Sequence, residues 1–515
     1  MRIVSMGSKT NVFSLAAVDW MILEHDKLPP FEPLLKRTME LALSSGLKAL
    51  SSSGLKTEDI KFDEQARSRF VRGCHYGYDK AQQRISATII ELHAQSRLAT
   101  QSLKLARRNK DKNETSALIQ YLKVIQNQEL VLRRLLDSLL YVLVQGKVWI
   151  LKRMLVDTHI RPVDPHVLAR TTKTASERNA TSRYRFSLVT DLTTIAQIGD
   201  LVEVDLSSSA EERWRIIELK EGKVNEILSG LLEEVRGELS SQELEKINSS
   251  LGEKAVKQVR RMVNQQNRLG EFWKIIKTDR GIDPLIKTEI RMTPTEVVTE
   301  DYLHLFQAML DETHKHGVAA QSVNTCLHLF ATTASLFDRE GSRALISHIF
   351  YHAIKPDRPC KLGQSDENEE WREIQGCPPI IDLVEFNIHS QWGCPIFTWP
   401  IHRDRMLDLL TNRMRLFGCF DIEGFFRMVE KQGPKTSWIV GEAAAKLGKL
   451  SGPIPGGQGA RGVRIEHPNG HVDQYLSGFF SRVFRELATP NCLLGAILRG
   501  PTEWAQAIKG RQGLV

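Results

Sequence analysis

The chain has 515 residues, 41% hydrophobic and 26% charged, with 70 Lys and Arg against 62 Asp and Glu for a net charge of +8. Such a composition excludes a disordered or collagen-like chain, and the length is roughly three to four times that of a typical domain. Mean hydropathy is −0.27, no apolar run reaches the length of a membrane span, and the basic excess permits a polyanionic partner without demanding one.

At the N-terminus, Arg2 precedes an apolar stretch broken by Asn11, Asp19 and Glu24, so no signal peptide is read. Residues 63–109 carry apolar positions at helical spacing, among them Ile85, Ile89, Leu92 and Leu98, with an expected break between Gly73 and Gly77. The polar run 105–114 reads as a hinge or exposed turn, and its Arg107, Arg108, Lys110 and Lys112 as a solvated basic segment. A second long helix follows over 116–145, with Leu118, Leu122, Ile125 and Leu135 on its apolar side. The texture then changes to three β-prone runs, 184–190, 198–206 and 214–220, the last two joined by a short polar spacer. Residues 225–237, 241–251 and 253–276 read as helices, and 286–290 as a short strand. Further on, 302–336, 342–354 and 403–414 read as helical, 356–379 as a polar loop and 380–388 as β. Residues 463–472, around Pro468-Asn-Gly470, read as a hairpin.

The chemistry-bearing pattern is Gly199-Asp200 opening one β run and Glu218-Leu219-Lys220 closing the next. Period-two alternation puts Glu218 and Lys220 on one face with Trp214 and Ile216. A carboxylate and an ammonium emerging there from an apolar strand suit a hard cation. Asp200 and Glu218, joined by the Leu219 carbonyl, make a minimal ligand set for Mg²⁺ (or Mn²⁺), which keeps several of its own waters. Lys220 then holds a metal-bound water and offsets charge at a phosphate.

This pattern resembles the PD-(D/E)xK nuclease superfamily, whose core order of helix, three strands, helix and strand is similar to that read over 116–293. The resemblance implies a restriction-endonuclease-like α/β core with a central mixed sheet, in which Asp200, Glu218 and Lys220 match the motif and Gly199 stands at its proline position. It also implies Gln258 as the glutamine of the following helix and Glu129 as a carboxylate from the preceding one. A departure is the stretch 225–252 lying between Lys220 and the helix of Gln258. The expected function is metal-dependent endonuclease cleavage of DNA, as an effector of restriction or anti-phage defence. Possible partners are a second copy or a defence complex. Arg260, Arg261 and Arg268 are candidate phosphate contacts. The bland alternative is a non-catalytic nucleic-acid-binding or scaffold subunit, since a (D/E)xK triplet is common by chance and Glu221-Gly-Lys223 is another.

The expected organisation is α+β in three parts: a helical region 1–115, the nuclease-like domain 116–296 and an α/β domain 297–515 of unassigned role. Seven scattered cysteines without a CxxC pair argue against a disulfide framework and a standard zinc site, and place the chain in a reducing, cytoplasmic setting. Cys360, Cys377 and Cys394 are too widely spaced to suggest a site. His314, His316 and His402 read as ordinary histidines, and the glycine-rich 456–462 as a turn, because the Lys-Ser/Thr of a phosphate loop is absent.

Overall fold

The computed structural model describes residues 30–56, 63–144, 162–181, 184–205, 214–219, 241–278, 280–282, 289–291, 300–334, 339–350, 380–389, 395–443 and 460–499. It also describes Leu28, Ile150, Leu151, Met154 and Leu155. The chain divides into two compact units, Leu23–Pro294 and Thr295–Val515 together with Met1–Ile22. The division expected at 115/116 falls inside a helix of the first unit, and the one expected at 296/297 lies two residues past the boundary.

The first unit begins with α1 (Phe31–Ser51), α2 (Glu64–Arg108) and α3 (Lys112–Leu143). α2 runs unbroken through Gly73 and Gly77, contrary to the expected interruption. These glycines serve helix packing: a Cβ on Gly73 would come within 2.6 Å of the Ala49 Cβ, and one on Gly77 would collide with the Leu41 carbonyl oxygen. Absent side chains let the two backbones approach, which offsets the roughly 1 kcal/mol that each glycine costs inside a helix. The polar run after Leu105 narrows to a three-residue turn. There Lys110 takes a left-handed φ of 57°, and Asp111 caps α3 by accepting from the Glu114 N–H at 3.0 Å. The second half of α3 is buried on all sides from Val131 to Leu140.

An unforeseen helix, α4 (Pro165–Thr181), precedes the sheet. Its signal is Asp164-Pro165: the Asp164 carboxylate accepts from the His166 N–H at 2.8 Å, and proline suits the first helical position. Then β1 (Arg185–Val189), β2 (Leu201–Asp205) and β3 (Trp214–Ile217) form an antiparallel meander in the order β1-β2-β3. β2 is central, pairing Phe186 with Val204 on one side and Val202 with Ile216 on the other, and all five of its residues are buried. α5 (Ser241–Leu251) and α6 (Glu253–Thr278) join through Gly252 and share a core of Ile247, Ala255, Val259 and Met262. β4 (Arg280–Ile282) and β5 (Glu289–Arg291) pair with each other.

The second unit opens with α7 (Phe306–His316), stopped by Gly317 at φ 84°. The helix expected over 302–336 ends there, and β6 (Val318–Val323) and β7 (Leu327–Thr333) form a hairpin whose turn holds Asn324 and Thr325 at positive φ. Six of the seven β7 residues are buried. A strand covered on both faces loses its alternation and cannot be told from a buried helix by period. α8 (Arg339–Ile349) follows. The β reading of 380–388 holds only for β8 (Ile380–Asp382), because Asp382 caps α9 (Leu383–His389) through the Val384 and Glu385 N–H groups. α10 (Arg403–Leu410) stops short of Met414, which starts β9 (Met414–Phe420). The sheet order is β6-β7-β9-β8, around a core of Phe330, Phe350 and Phe417. After α11 (Ile422–Glu430) comes a second sheet of β10 (Lys435–Ile439), β11 (Gly462–Glu466) and β12 (Val472–Leu476). Its β11–β12 turn at Pro468-Asn-Gly470 is the expected hairpin.

The molecule is therefore α+β with a helical N-terminal part and small sheets. Every strand pair among the described residues is antiparallel, where a central mixed sheet was expected. A parallel neighbour for β3 would need a long crossover, and β4 and β5 instead satisfy each other as a local pair. No described helix is long and apolar enough to cross a membrane.

Candidate active site

The meander places Asp200 and Glu218 at one end of the sheet. The β2–β3 register pairs Leu201 with Ile217, so one further step sets Asp200 opposite Glu218. The Asp200 N–H donates to the Ile217 carbonyl at 2.8 Å, and its carbonyl accepts from the Thr190 N–H at 3.0 Å, which extends the ladder to this residue. Its carboxylate turns across the strand and accepts from the Leu219 N–H at 2.6 Å. Leu219 thus meets Asp200 through its amide N–H, where the expected site invoked its carbonyl. Both acidic residues are partly buried.

Gly199, at the position of the motif's proline, has φ 74°, and a Cβ there would strike the Ile216 side chain. Proline is locked near −65° and cannot take this conformation. The turn into Asp200 therefore has its own geometry in this chain.

That turn is held from below by α3. Asp137, fully buried, accepts from the Thr194 N–H at 2.8 Å, the Thr194 hydroxyl at 2.6 Å and Arg134 at 2.7 Å. Arg133 donates to the Asp191 carbonyl at 2.8 Å. Between them these side chains fix the loop that runs from β1 to Asp200. The open edge of β1 is closed by amides: Gln82 spans the Ser187 carbonyl and the Val189 N–H, and the Asn179 carbonyl oxygen takes the Ser187 N–H at 2.6 Å. Inside the sheet, fully buried Glu203 pairs with Arg178 at 2.8 Å and Arg185 at 3.5 Å, and accepts from the Ser187 hydroxyl at 2.9 Å. Sequence reasoning missed this supporting set. Its available signal was a carboxylate at Glu203 in the middle of an apolar run.

Glu129, the expected helix carboxylate, is engaged by Arg133 and His93, each at 3.2 Å. Burial works to raise its pKa, yet the His93 hydrogen bond and the Arg133 charge hold it below the usual carboxylate value. Lys220 lies outside the described residues, as do the side chains of Gln258 and Arg261. Arg260 and Arg268 are exposed on α6, whose described packing is against α5 and β4. His316 lies 3.5 Å from Glu312, and His402 caps α10 through the Asp404 N–H. Cys360, Cys377 and Cys394 fall outside the described residues, as do 225–237, 356–379 and most of the glycine-rich 456–462 run.

Among the described residues no group of three or more His, Cys, Asp and Glu forms a metal cage. An opposed carboxylate pair at a strand end fits a hard cation that retains water, though not a closed structural site. Comparison with family models, curated proteins and solved structures finds no match for this chain.

Proposed function

We propose that the chain is a divalent-metal-dependent nuclease that hydrolyses phosphodiester bonds, with DNA as the substrate, in the setting of restriction or anti-phage defence. The observation that carries this reading is the register that sets Asp200 opposite Glu218 where β2 meets β3. Asp200 and Glu218 would hold Mg²⁺ or Mn²⁺, which when bound supplies Lewis acidity and a water of lowered pKa. The Leu219 N–H orients the Asp200 carboxylate, and Asp137 fixes the loop that leads into this residue. Lys220, two residues beyond Glu218, supplies positive charge to the phosphate under attack, a role that follows from the motif alone.

One observation favours a second reading. The 2.6 Å bond from the Leu219 N–H gives Asp200 a structural task, as a non-catalytic nucleic-acid-binding or scaffold subunit would use it. Substitutions that keep shape separate the two. Asp200→Asn retains an oxygen for the Leu219 N–H, and Glu218→Gln retains the side chain's length, while both remove the charge a cation needs. Plasmid and oligonucleotide cleavage with Mg²⁺ or Mn²⁺ should be lost in both variants with thermal unfolding unchanged. Lys220→Met should retain Mn²⁺ binding by calorimetry while turnover drops on the order of a hundredfold or more. Cleavage at the parental rate by all three variants, or none by the parent with either metal, sinks the nuclease reading.

A further inference from the structure

The α2–α3 hairpin carries a basic row that the site described above does not use. Residues 97–112 hold Arg97, Lys104, Arg107, Arg108, Lys110 and Lys112 against Asp111 alone, a net +5 of the chain's +8. All six cations are exposed, and among the described residues none has an ion-pair partner. The one carboxylate present, Asp111, is occupied as the cap of α3. No acidic residue lies between Glu91 and Asp111. On α3, Arg133 is paired with Glu129 and Arg134 with Asp137, whereas exposed Arg84 and Lys123 stand singly along the two helices. What sets the tip apart is the density of such cations, six within sixteen residues.

Within α2 the cations are also aligned. At about 100° per residue, Arg97, Lys104 and Arg108 fall within about 40° of one line along the helix, separated by roughly 10 Å and 6 Å of rise. Gln101 fills the same line between them. A straight row of charges matches a linear polyanion better than a compact anion. Beside the row only Leu98 and Leu105 are exposed large apolar side chains, seven residues apart, too few for the continuous apolar face by which a helix lies in a bilayer interface. We propose that the α2–α3 tip is a docking surface for the phosphate backbone of a nucleic acid, with the Arg97–Lys104–Arg108 row as its track. This inference rests on the nuclease reading for its choice of polyanion and deepens it by naming a surface that holds the substrate away from the scissile bond.

The test is equilibrium binding of a fluorescent 30-base-pair duplex to the full chain in EDTA, where no metal-dependent cleavage intervenes, over a range of NaCl. Replacing Arg97, Lys104 and Arg108 together by Gln should reduce the slope of log K against log salt by about 2.7, since each lost phosphate contact removes about 0.9. The charge-retaining Arg97→Lys, Arg108→Lys pair should keep the parental slope, and circular dichroism should be the same for all. An unchanged slope in the Gln variant overturns the proposal. So does binding of the tip to anionic phosphatidylserine vesicles, or to an acidic peptide, with none to the duplex. Binding is read in EDTA and cleavage with Mg²⁺ or Mn²⁺, so a failed arm and a failed catalytic site give separate results. Duplex binding that depends on the row with no cleavage under any metal supports the arm and removes the nuclease reading. Cleavage without any effect of the row does the reverse.

Discussion

Glu129 is held by two partners, His93 and Arg133, and its pKa lies below the ordinary carboxylate value of 4.5. The sign of the linkage follows from that direction. A carboxylate with a depressed folded pKa adds stability that is present above its unfolded pKa and lost as pH falls through the folded one. Glu129→Gln should therefore unfold at a lower temperature than the parent at pH 7, with the difference closing as the pH drops below about 4.5. A difference that stays constant from pH 7 to pH 3 would show that this carboxylate does not titrate with folding. At the same scale, Arg134 and Asp137 show why charged positions mislead a reader of sequence. A charge on an amphipathic helix is by default assigned to solvent, yet this pair is buried and anchors the loop into Asp200.

Among the elements, glycine has two opposite meanings in these helices. Gly77 lies against the Leu41 carbonyl oxygen and the Ser45 side chain, so Gly77→Ala must push α1 and α2 apart. Its expected cost is about 1–3 kcal/mol, as for other overpacked contacts, and this outweighs the gain in helix propensity. Gly270 lies inside α6 with nothing within 4 Å of an added Cβ, so Gly270→Ala should stabilise by about 0.5–1 kcal/mol. Urea denaturation of both variants checks the contrast, and equal effects of one sign would contradict the packing described. β7 teaches a related lesson. Its apolar run imitates a helix, because burial on both faces erases the alternation that marks a strand.

For the molecule as a whole, the division at Pro294 and Thr295 separates two sets of elements, each with its own buried core. A fragment of residues 23–294 expressed alone should unfold cooperatively in urea and keep the helical circular dichroism of α1 to α6. It should also retain the duplex-binding salt slope of the full chain, because the α2–α3 tip and the three-stranded sheet belong to this unit. A fragment that melts without a cooperative transition would place the boundary elsewhere.

By itself the sequence determined the two long helices α2 and α3, the three β runs and the Pro468-Asn-Gly470 hairpin, all of which rest on local signals: apolar period, β-branched content and turn residues. It also put Asp200 and Glu218 on neighbouring strands, while their opposed register is a property of the folded sheet. The start of α4 has a local signal too, in Asp164-Pro165. What only the tertiary structure decided lies in contacts between distant positions. Gln82 closes the edge of β1 from more than a hundred residues away, Asp137 pins Thr194, and Gly77 seats the backbone of α1. A side-chain pattern reports how often a position faces the core and is silent about which group it meets there. Buried Glu203 among its arginines and the pinned loop into Asp200 could therefore be recognised only once the chain was folded.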